Sequence, residues 1–493
     1  MKDGSIAAPS SLSPLGMNSE ELRQNYTEGS LSPVEVLEDT FARIDSVNGD
    51  INAIAFRNDS EAYQQAQASA RRWRKGAPLS ALDGMPISIK DSINAVGTPW
   101  RHGSQGHEQV PPAAVDSPPV ARLKEGGAVV FAKTTMPDFG MAASGVSSLY
   151  GIVRNPWNLS LSPGGSSAGA GASLAAGIGI AGVGTDIAGS VRLPAAHCGL
   201  FALKPTQGRI PHLAPSTVRS PGPMARSVRE GAELFELLTQ PDRRDYLSLP
   251  PSSEKGAREL AQEDIRDLKV GLLLDIGYGE TLHPSVERVV RQAAESLQEG
   301  GAQVAEMRPL FSEDPYRALD RLFQVRARTE WWSIPEEKRS QVLPAISEWC
   351  AEADGFTAVQ HESDQHAVLR SAATVIERFD AYDVVLSPVL PGLGYLAEMV
   401  GLDHSRPLAH CSYTCWANQT GQPAASVAFG MEKGLPVAVQ VLGKRFDDER
   451  VIGISEWLEA NRPVEMCWPV APNSESPIEE TFFAGAARIG GSA

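Results

Sequence analysis

The chain has 493 residues, of which 60 are acidic and 44 basic, a net charge of −16 at pH 7, and 42% of its residues are hydrophobic. This is the balance of an ordinary globular protein, long enough for two to three domains or one large one. With no basic block anywhere, it argues against nucleic acid and anionic membrane as partners.

Residues 1–18 read as a loose tail without the apolar run of a signal peptide. The five cysteines (Cys198, Cys350, Cys411, Cys415 and Cys467) are few and odd in number, which points to a reducing compartment and no disulfide framework. The expected location is therefore cytoplasmic. Ser19-Glu20-Glu21 and Ser32-Pro33-Val34-Glu35 are helix starts, and the second places Val34, Val36, Leu37, Phe41 and Ile44 on one side. After the turn signal Asp83-Gly84, the apolar run PISIK (86–90) reads as a buried strand ending in Lys90. An ammonium in an apolar site is costly, so its pKa is expected to fall; the alternative is a lysine that snorkels to solvent. Residues 116–139 read as helix, turn, strand and loop, with Gly126-Gly127 ending the helix and 128–132 forming the strand. Residues 154–158 form a turn.

The stretch 162–205 is unusual. Gly, Ala and Ser dominate it, and only Asp186, Arg192, His197 and Lys204 can carry charge. It is too glycine-rich, and broken by Asp186, to be a good membrane span. Ser166, Ser167 and Ser190 sit at Gly-rich bends that can aim N–H groups at an anion or an oxyanion. A packed Gly/Ala helix with loops is the plain alternative. Beyond it, 268–274 reads as a strand. Residues 284–298 read as a helix with Val286, Val289, Val290, Ala293 and Leu297 on one face, stopped by Gly300-Gly301. The region 312–380 carries Trp331, Trp332 and Trp349 on expected helices, either in the core or lining a roomy apolar pocket. Residues 382–388 return to the sheet.

Several motifs compete. Gly165-Ser166-Ser167-Ala168-Gly169 fits the nucleophile elbow of α/β-hydrolases with Ser167 as nucleophile, but no strand precedes it. Gly177, Gly179 and Gly182 fit a dinucleotide fingerprint that lacks its strand and its downstream acid. His361 and His366 are five apart, where zincin histidines are four apart. His410, Cys411 and Cys415 have zinc-ligand chemistry but lie in a block where packing suffices. His197 is expected to be packed and hydrogen-bonded.

A lysine with serines makes chemical sense, because a neutral lysine can serve as the base that a serine nucleophile requires. GMPISIKD (84–91), GGSS (164–167) and GTDIAGSVRLPAAHCG (184–199), in this order and with 24 residues from Ser166 to Ser190, resemble the amidase signature family. The block 411–443, with Asn418, Gly421, Pro423, Leu435, Pro436, Gln440 and Gly443, resembles that family's closing block. The resemblance runs from about 20 to 462. It implies an α/β fold, one domain over 19–465 with a central mixed sheet flanked by helices on both faces. The core would be 80–230, the variable lid region 312–380 and the closing sheet block 381–445, with a peripheral tail over 466–493.

The resemblance also implies roles. Ser190 matches the acyl-forming nucleophile, Ser166 the proton-relaying serine held on a cis peptide, and Lys90 the base. The N–H groups of Ile187, Ala188, Gly189 and Ser190 match the oxyanion hole. Ser167, Asp186 and Arg192 match residues that hold the site in shape. Ala188 and Ala168 stand where the family usually has glycine, which implies local strain if either needs a positive φ. No metal or cofactor is implied. The expected substrate is a small-molecule amide or carbamate, cleaved without nucleic-acid or membrane partners by a monomer or homodimer. The alternatives are an amidotransferase-like subunit acting on aminoacyl-tRNA, an esterase using Ser167, and a catalytically inactive scaffold.

Overall fold

The computed structural model describes residues 14–250, 265–402, 406–469 and 471–473. Its strands, in chain order, are β1 (Ile54–Arg57), β2 (Pro86–Lys90), β3 (Val129–Thr134), β4 (Val146–Ser147), β5 (Gly151–Ile152), β6 (Ala181–Asp186) and β7 (Phe201–Lys204). Then follow β8 (Ser220–Ala225), β9 (Lys269–Leu272), β10 (Gln303–Glu306), β11 (Val384–Pro388), β12 (Ala424–Glu432) and β13 (Leu435–Gly443). β4 and β5 pair with each other; the rest form one sheet in the order β1-β3-β2-β6-β8-β7-β12-β13-β11-β9-β10. β2 runs parallel to both β3 and β6, and β9 parallel to β10 and β11, while the remaining pairs are antiparallel. The sheet is therefore mixed, as expected.

The central strands are buried along their whole length, which is why they read as continuous apolar runs rather than alternating ones. Pro86 is tolerated in β2 because it is the first residue of the strand. Helices cover both faces. Helix Pro33–Ile51 starts at a capping box between Ser32 and Glu35 and buries Val36, Leu37, Phe41, Ile44, Val47 and Ile51. Several of these pack with Phe131, Ala168 and Ala172 in one apolar cluster. Helix Pro284–Glu299 buries its expected face, Val286 through Leu297, in the cluster that holds Val427, Phe429 and Val439.

Element ends differ from the sequence expectations by one to three residues. The strand expected over 268–274 pairs only at Lys269–Leu272, because that is where β10 and β11 offer partners. The region 312–380 forms helices Tyr316–Ser333, Pro344–Ala351 and Ala358–Phe379. Trp349 is buried in the core. Trp331 and Trp332 lie at the end of the first of these helices, where Arg328 stacks 3.8 Å from the Trp331 ring and Arg339 4.5 Å from the Trp332 ring.

Of the expected tails, 1–13 and 474–493 lie outside the described residues. Met17 packs on the core. Met466 is buried, Trp468 Nε1 donates to Gly199 O at 3.1 Å, and Asn473 exchanges bonds with Pro156 and Leu159. The segment just after 465 is therefore held against the domain rather than peripheral to it. Among the described residues no helix is long and apolar enough to cross a membrane.

Candidate active site

β2, β3 and β6 are neighbours and point the same way, so Lys90, Thr134 and Asp186 end up side by side at their C-terminal ends. That edge of a parallel sheet is where α/β folds place ligands. Lys90 is 1% exposed there. Its Nζ donates to Ser166 Oγ at 2.8 Å, to Thr185 Oγ1 at 3.2 Å and to Thr185 O at 3.4 Å. Burial pushes its pKa down to about 7, against the pull of Asp186 and with help from Arg219. The snorkelling alternative is thus excluded.

Ser166 follows a cis peptide bond from Gly165. The loop is close-packed: a Cβ on Gly165 would strike the backbone of Ala143 and Ser144. Ser167 is fully buried at the start of helix Ala168–Ala175, with its Oγ donating to Thr185 O at 3.4 Å. A loop, not a strand, precedes it. This removes the geometry that the nucleophile elbow requires.

Asp186, at the end of β6, shapes the next turn. Its carboxylate accepts from Gly189 N–H at 2.8 Å, Val191 N–H at 3.2 Å and Asn418 Nδ2 at 2.9 Å. Arg192 reaches both of its oxygens, Nε at 3.0 Å and Nη2 at 2.9 Å. The same guanidinium donates to Thr414 O at 2.9 Å, Gln440 Oε1 at 2.7 Å and Asn418 Oδ1 at 2.8 Å, so all five donors are used. Burial favours a neutral Asp186, but Arg192, Asn418 and Lys204 outweigh it and hold the carboxyl down to about 2. Both side chains are fully buried. The loop 187–191 is thereby bolted to the closing block.

Ser190 sits on this loop, 7% exposed. Its carbonyl accepts from Ser167 N–H at 3.1 Å, which joins the two serine loops. Among the described residues no hydrogen bond links the Ser166 and Ser190 hydroxyls directly. Gly189 has φ 126°, and a Cβ there would strike Thr414. Neither Ala188 nor Ala168 has a positive φ, so neither replacement of glycine brings strain. One expectation needs correction. The Gly189 N–H is engaged by Asp186 and is not free for an oxyanion. Among the described residues, the N–H groups of Ile187, Ala188 and Ser190 have no backbone or side-chain acceptor.

The cavity beside Lys90 and Ser166 is lined by apolar Met136, Phe139, Met141 and Ile187. Polar and charged His102, Arg219, Arg326 and Glu330 line it as well. The tryptophans do not border it, and the expected roomy apolar pocket is replaced by a narrow, half-charged one. The long-range partners Thr414 and Arg219 carry no local signal. Thr185 stands beside Asp186 inside the GTDIAG block and was legible only as a neighbour. A larger cleft bordered by Arg43, Arg226, Glu459 and Trp468 contains none of the expected site residues.

The rival motifs resolve as packing. Gly177 and Gly179 precede strand β6 instead of following one, which reverses the dinucleotide order. His410, Cys411 and Cys415 are buried, and among the described residues no three His, Cys, Asp or Glu side chains group as metal ligands. His197 is buried edge-on to Tyr395 at 5.6 Å, but among the described residues its Nε2 has no hydrogen-bond partner, contrary to expectation. Burial pushes its pKa down to about 3, so the ring is neutral.

Comparison with known proteins places these features. A family model described as Amidase matches residues 35–452. The chain is 30% identical over 474 residues to a glutamyl-tRNA(Gln) amidotransferase subunit of Marinomonas sp., covering 88% of this chain and 94% of that one. It is 31% identical over 458 residues to the corresponding protein of Chloroflexus aggregans, covering 87% and 93%. Among solved structures it resembles a bacterial aryl acylamidase of the amidase signature enzymes, with a TM-score of 0.84 and 26% identity over 92% of this chain and 98% of the other. It also resembles 6-aminohexanoate cyclic dimer hydrolase, with a TM-score of 0.83 and 26% identity over 91% and 98%. With the match spanning nearly the whole sheet, both serine loops and the closing block, the chain belongs to the amidase family, the amidase signature enzymes.

Proposed function

We propose that this protein hydrolyses carbon–nitrogen acyl bonds of small molecules through an acyl-enzyme on Ser190. The observation that carries the reading is the buried contact of Lys90 Nζ with Ser166 Oγ, 2.8 Å, on a lysine whose pKa is near 7. A neutral lysine there takes the Ser166 proton, and Ser166 takes that of Ser190 as Ser190 attacks the carbonyl carbon. The N–H groups of Ile187, Ala188 and Ser190 face the developing oxyanion. As the C–N bond breaks, Ser166 returns a proton to the leaving nitrogen. Water then enters by the same relay and releases the acid. Removing one oxyanion donor from such a site typically lowers the rate roughly 10²–10³-fold.

The substrate class is an amide or a carbamate. The 30–31% identity to amidotransferase subunits supports a second reading, in which ammonia is released for use on aminoacyl-tRNA. The net charge of −16 speaks against an RNA-binding role for this chain. The test is hydrolysis of an aryl ester, an anilide, a primary amide and an aryl carbamate, with glutamine alongside, by wild type and Ser190→Ala. Cleavage of the anilide or carbamate by wild type alone supports the hydrolase. Cleavage of glutamine alone favours the amidotransferase reading. Ester cleavage that survives Ser190→Ala overturns the nucleophile.

A further inference from the structure

The cavity beside Lys90 carries more positive charge than the one carboxylate lining it among the described residues neutralises. Arg219 reaches it from the loop just before β8, and Arg326 from helix Tyr316–Ser333. Glu330 stands one turn beyond Arg326 and is, among the described residues, the only carboxylate lining this cavity. It is already bonded to His102 Nδ1. Among the described residues neither arginine makes an ion pair within 4.0 Å. Arg219 Nη2 donates to Ala214 O at 3.2 Å, while its Nε is buried without any acceptor. Arg326 makes no hydrogen bond among the described residues. A buried guanidinium donor left without a partner is expensive, and so is a second guanidinium beside it. Burial, then the neighbouring Arg326, pulls Arg219 down to about 10, and Arg326 is lowered by burial as well. Both remain charged at neutral pH. Planar guanidinium forks of this kind match a carboxylate.

We propose that Arg219 and Arg326 form an anion subsite and that the substrate carries a carboxylate close to its scissile C–N bond. This rests on reading Lys90, Ser166 and Ser190 as the hydrolytic centre, since that is what puts the arginines beside the reacting atoms. It replaces the roomy apolar pocket that the tryptophans offered as one alternative by a site for an anion. Met136, Phe139 and Met141 line the same cavity and supply apolar contacts beside the charged ones. The subsite also bears on the base. Arg219 helps depress Lys90, so a bound carboxylate that screens Arg219 raises the pKa of Lys90 in the complex.

The experiment uses two matched pairs of anilides with the wild-type protein. One is succinanilic acid against the anilide in which isopropyl replaces the carboxylate. The other is para-acetamidobenzoate against para-isopropylacetanilide. They place the anion on the acyl side and on the leaving side respectively. The expected result is a kcat/KM roughly 10–100-fold higher for the carboxylate member of one pair, the range of a charged hydrogen-bonded contact. Arg219→Gln and Arg326→Gln should each collapse that ratio, and the acidic limb of kcat should lie at higher pH for the anionic member. A ratio near one in both pairs, or a ratio that survives both substitutions, overturns the subsite. Calorimetric binding of the same pairs to Ser190→Ala repeats the comparison without turnover, and equal binding of both members is equally fatal. Hydrolysis that persists in Ser190→Ala overturns the hydrolytic centre instead, so the two failures are separate.

Discussion

Lys90 Nζ lies 2.8 Å from Ser166 Oγ, and among the described residues no carboxylate comes within ion-pair distance of it. Its neighbour in the sheet, Lys133, is equally buried but has Asp91 at 3.6 Å. Burial lowers both, yet Lys133 stops at about 8 and Lys90 falls to about 7. A lysine kept from carboxylates and handed to a serine is equipped to act as a base at neutral pH.

Activity should therefore rise with pH along a limb centred near pH 7, falling about tenfold per unit below it. Lys90→Met should lower kcat/KM by roughly 10²–10⁴ and remove the limb. The same shift affects stability. Between about pH 7 and the unfolded lysine value near 10.4, the unfolded chain binds the extra proton, so stability rises with pH across that window. Urea midpoints at pH 7 and pH 9 should show a smaller rise in Lys90→Met than in wild type. A pH-independent rate in wild type would remove Lys90 as the base.

Ser190→Ala should abolish turnover and leave the unfolding midpoint nearly unchanged, since its side chain makes no hydrogen bond to another part of the described chain. Ser167→Ala should still acylate, because Ser167 is fully buried and offers only a 3.4 Å bond to Thr185 O, worth about 1 kcal/mol or less. A fluorophosphonate probe read by peptide mass spectrometry decides the matter: the label belongs on Ser190 and should be absent from Ser167.

Arg192→Met should be among the most damaging substitutions in the chain. It leaves the buried Asp186 carboxylate without its main partner and frees Asn418, Gln440 and Thr414 O as well. Breaking a buried pair in this way costs roughly 3–5 kcal/mol. Denaturant titration should show that loss, with activity falling in step as the 187–191 loop loosens. The depressed Asp186 adds an acid dependence. Its contribution is present above the ordinary carboxylate pKa and is lost as pH falls toward about 2.

Gly189→Ala should lose activity more than stability. The added Cβ meets Thr414, and φ 126° is unfavourable for any L side chain. Relief of that strain moves the N–H groups on either side of it. Ala188→Gly has no such conflict to relieve and should change kcat by only a few-fold. Equal kinetics for Gly189→Ala and wild type would mean that this loop does not set the oxyanion geometry.

Much of this molecule was legible before the structure. PISIK announced a buried strand because a β-strand covered on both faces must be apolar throughout, and the single lysine stood out against it. Capping pairs such as Ser32 with Glu35 announced helix starts for a local reason, the unpaired N–H groups of the first turn. The order and spacing of the three signature blocks pointed to the family and, through it, to Lys90, Ser166 and Ser190. Local patterns gave element ends only to within a few residues, since a strand stops where its neighbour does.

Tertiary structure alone decided the rest. Residue types cannot show that Asp186 draws in the Gly189 N–H and removes it from the expected oxyanion set, nor that His197 is left without a partner for Nε2. They cannot bring Arg219 and Arg326, 107 positions apart by number, to one cavity, or send three tryptophans away from it. Each of these depends on contacts between segments far apart in the chain. Periodicity and composition describe a segment by itself, whereas the charge of a cavity is set by whichever distant side chains the packed sheet and helices bring to its walls.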